Sequence, residues 1–184
     1  MLPNLKRLFI SILIETVSFL TVGFIFMGSF IFRTDNTGFA YTIFGITSII
    51  LINVLKFRSL RDFLFTSALL TFFFLVTFFK IENLLPAMRN VLWFAVICVS
   101  VFLSVKVLSG EKYKTKKYVS AAIWMINFTL VYIFMALLNI YIFKFYDENY
   151  FSHYMLLAFN MGASMGLGIG IGFEICKNLK WKIN

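Results

Sequence analysis

Six long apolar runs separated by short polar segments organise this sequence. Each run meets or approaches the roughly 17–25 residues that an α-helix needs to cross about 30 Å of hydrocarbon. Helices satisfy their own backbone hydrogen bonds in lipid, and the ten-residue alternation of a membrane β-barrel is not seen. The pattern therefore predicts an all-α integral membrane protein, with one six-helix transmembrane domain over residues 1–184. The predicted helices are Leu8–Phe32, Gly38–Leu55, Phe63–Phe79, Val91–Leu108, Val119–Phe143 and Tyr154–Ile175.

The sixth run holds half of the glycines in the chain, five of ten, between residues 162 and 172. At helical spacing, Gly162, Gly166 and Gly170 lie above one another and form a groove, with Ser164 on a neighbouring strip. Small residues let the backbones of membrane helices approach closely. We therefore predict that this groove receives another helix, either from the same chain or from a second subunit.

Composition supports the same class of protein. The chain of 184 residues is 61% hydrophobic and 14% charged, with a mean hydropathy of +0.90, whereas soluble domains average about 45–50% apolar and about 25% charged residues. The polar gaps between the runs are too short for a soluble domain. The first run is longer than the roughly 7–15-residue core of a secretory signal, which predicts a retained helix.

Basic residues favour one side of the predicted bundle and so predict its orientation. With six spans, thirteen of the seventeen Lys and Arg residues fall on the side of the two termini and four on the other. Positively charged loops stay in the cytoplasm, so both termini are predicted to be cytoplasmic and the protein to lie in the cytoplasmic (plasma) membrane. Aromatic residues near the predicted interfaces, among them Trp93 and Trp124, are interpreted as headgroup anchors.

Polar residues inside the apolar runs are few, and they form a candidate intramembrane polar site. Glu15 is the most unusual, because a carboxylate about two turns into a membrane helix is costly unless it is protonated or paired inside the bundle. We expect its partner to be Lys106 or a neutral polar group on the sixth helix. Glu15 can equally be a structural lock between helices. The candidate residues are Glu15, Ser18, Asn127, Asn160, Ser164 and Glu174.

Catalysis is not predicted, because titratable groups are scarce in the apolar runs. The two cysteines, Cys98 and Cys176, show no metal-binding spacing, and the single histidine has no partner nearby in the sequence. We expect no catalytic, metal or cofactor-binding residues and no nucleic-acid partner.

A lysine-rich segment follows the fourth run and has two interpretations. One is attraction to anionic lipid at the cytoplasmic surface. The other is docking of a soluble cytosolic partner with an acidic face. The lysines concerned are Lys112, Lys114, Lys116 and Lys117.

These observations leave three functional hypotheses. The first, which we favour, is a transport or channel component, acting as a solute-binding or pore-forming subunit and assembling as a homo-oligomer or within a membrane complex. The second is a membrane anchor or sensor that docks a cytosolic partner, and the third is a membrane enzyme. The size and six-span plan resemble the substrate-binding subunits of energy-coupling-factor vitamin transporters. This resemblance is one of architecture and assigns no site residues.

Overall fold

The computed structural model of the protein describes residues 2–28, 36–78, 84–110 and 118–179, and the regular structure in these ranges is helical. A short 3-10 turn, Glu148–Tyr150, precedes the last helix. The six α-helices of the described ranges are α1 (Leu2–Met27), α2 (Asn36–Phe57), α3 (Leu60–Phe78), α4 (Leu84–Leu108), α5 (Val119–Tyr141) and α6 (Phe151–Asn178).

Five of these helices are long and apolar enough to cross a membrane. The stretches that meet this requirement are Leu5–Met27, Ala40–Phe57, Met88–Leu108, Val119–Tyr141 and Glu148–Asn178. The prediction of an all-helical membrane protein is therefore confirmed at this level.

Local signals set several helix ends. The first helix ends at Met27, before the predicted Phe32, because Gly28 adopts a left-handed backbone with φ 57°. The third helix begins with a reciprocal cap: the Asp62 N–H donates to Ser59 Oγ (3.2 Å) and the Ser59 N–H donates to Asp62 Oδ2 (3.3 Å). The backbone N–H and the hydroxyl of Ser59 lower the pKa of the exposed Asp62 carboxyl.

The sixth helix lies between two partners. It packs most extensively against α5 on one side and against α1 on the other. The helices α1 and α6 run antiparallel, since Ser11 lies beside Cys176 and Ser18 lies beside Gly168. The helix α2 packs against α1, α3 and α4, while α3 lies at the edge of the bundle against α2 and α4.

On five of the six described helices, all but α2, large apolar side chains are exposed on the outside as well as buried in the core. On α3, for example, Leu64, Phe65 and Phe72 are more than half exposed. A soluble monomer rarely exposes apolar surface so extensively, whereas a membrane helix needs it toward lipid. The described exterior is thus suited to a hydrocarbon environment.

The core contains one residue that the sequence led us to misplace. Trp124 was expected to anchor at the headgroups, but its side chain is fully buried. Its ring centroid lies 5.9 Å from that of Phe128 and 6.2 Å from that of Phe173, so it packs between α5 and α6. The anchoring prediction for Trp124 is therefore wrong.

The two ends of the bundle differ. We call one the basic end; it carries the first turns of α1 and the last turns of α2, α4 and α6, with Lys6, Lys56, Lys106 and Lys177. The opposite end carries the connection from α5 to α6. There Tyr146 stacks on Tyr154 at a centroid distance of 4.3 Å, and burial raises the pKa of the Tyr146 hydroxyl.

Candidate functional site

A buried charged cluster lies at the basic end, between α1, α2 and α6. We call Ser11, Glu15, Asn53 and Lys56 the Glu15 cluster. Glu15 is fully buried; Asn53 donates to its Oε2 (2.7 Å) and Ser11 to its Oε1 (3.2 Å). The Lys56 ammonium lies 3.9 Å from Oε1, and its side chain is only 1% exposed. Both charges are therefore removed from solvent and face each other.

Small residues of α1 and α6 make this burial feasible. A Cβ built on Gly172 would lie 2.6 Å from the Glu15 Cα, so α1 and α6 are in backbone contact at the depth of the carboxylate. One turn away, the Ser11 hydroxyl also lies 3.4 Å from Cys176 Sγ. Phe173, which follows Gly172 on α6, places its ring 4.5 Å from the Lys56 ammonium, a favourable cation–π distance.

Two polar atoms of the Glu15 cluster have no hydrogen-bond partner. Both N–H groups of the Asn53 amide are used, one on Glu15 and one on the Ile49 carbonyl (2.9 Å). Its Oδ1 accepts no hydrogen bond, and the Lys56 ammonium donates none. Buried polar atoms are normally paired, so an open donor and an open acceptor within one cluster make it a candidate binding site.

A second buried group joins α2 to α6. Tyr41 OH lies 2.9 Å from Ser164 Oγ, and Ser164 donates to the Met161 carbonyl (3.1 Å). Because Ser164 has only one hydroxyl hydrogen, Tyr41 is the donor in their pair. On the facing helix α1, Ser18 donates to the Gly168 carbonyl (2.8 Å). Both predicted serines therefore fasten α6 to a neighbouring helix.

The remaining candidate residues lie elsewhere in the bundle. Glu174 accepts from Ser120 of α5 and lies 3.8 Å from the Lys177 ammonium on its own helix. Asn127 donates to Ser100 of α4. Asn160 is half-buried on α6. The six predicted residues thus do not converge on one site.

Lys106, one of the two expected partners of Glu15, was wrong, and the neutral side chains that donate to Glu15 lie on α1 and α2 rather than on the sixth helix. Lys106 is exposed on α4, whereas the charged partner is Lys56 of α2. Lys56 was not predicted as a partner because it lies just after an apolar run, where lysines usually mark the cytoplasmic boundary. One signal could have found it: Asn53 and Lys56 are three residues apart, so both lie on the same face of α2.

The three glycines of the predicted groove lie against the backbone of α5. A Cβ on Gly162 would lie 2.5 Å from the Thr129 Cα, on Gly166 2.6 Å from the Met125 Cα and on Gly170 2.5 Å from the Ala121 Cα. The groove is filled by a helix of the same chain. Any contact between subunits must therefore use another surface.

The predicted lysine-rich docking segment, with Lys112, Lys114, Lys116 and Lys117, lies outside the described residues. Within the described ranges, no three His, Cys, Asp or Glu side chains come together in a way that would hold a metal ion. Comparison of the chain with protein-family models, curated proteins and solved structures finds no match.

Proposed function

We propose that the protein is a solute-binding component of a membrane transport system, with its binding site at the Glu15 cluster. The observation that carries this proposal is the buried pair of Glu15 and Lys56, with Lys56 Nζ and Asn53 Oδ1 open. Ionisable residues inside membrane helices are costly and characteristically mark solute or ion pathways.

A purely structural role for the cluster fits these contacts less well. Burying two charges costs several kcal/mol per ion before their attraction and hydrogen bonds offset it. Glu15 receives two hydrogen bonds, but Lys56 makes none. By contrast, the hydroxyl groups of Tyr41 and Ser164 are both hydrogen-bonded, to each other and, for Ser164, to the Met161 carbonyl. The incomplete bonding at Lys56 leaves the hydrogen-bonding capacity of its ammonium available to a solute group.

The proposed topology has six spans with both termini in the cytoplasm. It rests on the uneven distribution of Lys and Arg, thirteen on one side and four on the other. In this orientation the basic end of the bundle faces the cytoplasm. The Glu15 cluster then lies in the cytoplasmic half of the membrane, where Lys56 of the last α2 turn reaches inward.

Native mass spectrometry of the protein purified in a mild detergent tests the proposed function. We expect a small polar molecule to accompany the wild-type protein and to be lost from Lys56→Met. Glu174→Gln is the matched control, because it changes a buried carboxylate at the same end of the bundle outside the Glu15 cluster.

Two results would contradict this function. A small molecule retained equally by Lys56→Met would place the site elsewhere. A soluble protein that accompanies the wild type in the absence of any small molecule would favour the anchor or sensor hypothesis. Uptake of the identified molecule into proteoliposomes completes the test, with Lys56→Met as the inactive variant.

A further inference from the structure

The two charged groups of the Glu15 cluster are held unequally. Glu15 is fixed by hydrogen bonds from Ser11 and Asn53. Lys56 is 3.9 Å from the nearest carboxylate oxygen, which is beyond hydrogen-bond distance, and otherwise faces the Phe173 ring. An incoming anion that hydrogen-bonds the ammonium would therefore be a better partner for Lys56 than Glu15 is, and it could bind without breaking any hydrogen bond of Glu15.

The open atoms define the chemistry of such an anion. The Lys56 ammonium requires an acceptor, and a carboxylate supplies one with charge assistance. The Asn53 Oδ1 atom, on the same face of α2, requires a donor, which a hydroxyl supplies. An ammonium donor is disfavoured beside Lys56 by like-charge repulsion. The rings of Phe57 and Phe173, 5.3 Å and 4.5 Å from the ammonium, suit a small organic ion.

The charge balance requires a second ion. The occupied cluster would contain two carboxylates and one ammonium, and an unpaired buried charge is very costly. Among the residues that the structure describes, the titratable groups that face Glu15 are Lys56 from α2 and Cys176 from α6. Neither an ammonium at Lys56 nor a thiol at Cys176 has a site for a further proton. On α6, Glu174 is directed to Ser120 of α5 instead. Glu15 is therefore the group that can restore neutrality, by taking up one proton.

We propose, building on the transport function above, that the Glu15 cluster binds a small monovalent hydroxycarboxylate together with one proton. Lys56 holds the carboxylate, Asn53 Oδ1 accepts from the hydroxyl, and Glu15 carries the proton. The net charge of the cluster is zero before and after binding. The protein therefore takes up one proton with each anion, and it releases both on the opposite side of the membrane.

Isothermal titration calorimetry with L-lactate as the probe tests this inference. Titrations at pH 8 in two buffers of different ionisation enthalpy give the number of protons taken up per lactate bound. We expect about one for the wild type. Glu15→Gln should bind lactate without proton uptake, because glutamine does not titrate. Lys56→Met should weaken binding at least tenfold. Glu174→Gln should behave as the wild type.

The variants also separate binding from folding. Should Lys56→Met unfold because Glu15 loses its counter-ion, the double variant Glu15→Gln/Lys56→Met removes both charges together and should fold without binding lactate. Chloride serves as an inorganic control and should not compete with lactate. The inference is overturned by lactate binding without proton uptake, by uptake that persists in Glu15→Gln, or by lactate and glycolate both failing to bind. The search for a bound solute by native mass spectrometry does not depend on these titrations. A neutral solute that accompanies the wild type and is lost from Lys56→Met would support the transport function and reject the binding of an anion with a proton.

Discussion

Replacement of Gly166 by alanine tests the tight packing of α6 most directly. The new Cβ would lie 2.6 Å from the Met125 Cα and closer still to the Trp124 carbonyl oxygen. Cβ atoms are essentially never found within 3.0 Å of such atoms, and the atoms met here belong to the backbone. No side-chain rotation can relieve the contact, so α5 and α6 must move apart by several tenths of an ångström.

The expected cost follows from this geometry. Overpacking by one methyl group destabilises a packed core by about 1–3 kcal/mol. Alanine favours a helix over glycine by about 0.8–1 kcal/mol, which offsets part of the cost. At roughly 2–4 °C per kcal/mol for a chain of this size, the melting temperature should fall by a few degrees. Gly166→Leu adds three further carbons at the same point and should lower it considerably more.

Thermal unfolding in detergent can be followed with a fluorogenic thiol reagent, since Cys176 is fully buried in the folded protein. Ala122→Leu provides the matched control: Ala122 is exposed, whereas its neighbour Ala121 faces the Gly170 position. The control should retain the wild-type melting temperature. Light scattering after size-exclusion chromatography should show the same mass for all variants, because the partner helix belongs to the same chain. A Gly166→Leu variant that keeps its melting temperature, or that stays folded and falls in mass, would refute this packing.

Three other predictions follow from topology and from the polar groups. A cysteine at Glu148 should react with an impermeant thiol reagent added to intact cells and one at Ser59 should not; the reverse pattern would reject the proposed orientation. Glu15→Leu should destabilise the protein by about 3–5 kcal/mol because it strands a buried ammonium, while Glu15→Gln should remain folded; equal melting temperatures would show that Glu15 is not paired. Tyr41→Phe removes the donor to Ser164 and should cost about 1 kcal/mol in thermal stability, with no effect expected on lactate binding.

The helical class and the burial of Glu15 inside the bundle could be predicted from the sequence because both depend on local chemistry. Length and hydropathy define membrane helices directly. A single carboxylate inside an apolar run is conspicuous for the same reason. The small-residue strips of α6 were visible as a period of four, and the structure places α5 against one strip and α1 against the other.

The partner of Glu15 could not be predicted, because it depends on the relative heights of two helices. The described α1 begins at Leu2 and places Glu15 well along its length, whereas α2 ends at Phe57. The last turn of α2 therefore meets the middle of α1. Sequence alone places Lys56 at a membrane boundary and Glu15 within the membrane. Trp124 was misplaced for a related reason: its position near a helix end does not reveal that Phe128 and Phe173 cover it.

The close contacts of α6 also determine which parts of the bundle can move. Backbone lies against backbone along α6 toward both α5 and α1, so we expect these three helices to move as one rigid body. The contacts of α2 with α1 are less extensive, α3 packs against α2 and α4, and α4 packs against α2 and α5. Glu15 belongs to the rigid body, while Asn53 and Lys56 lie across its boundary on α2. A rocking of α2 against these three helices would change the Glu15–Lys56 distance directly, so we expect this one ion pair to resist such a movement.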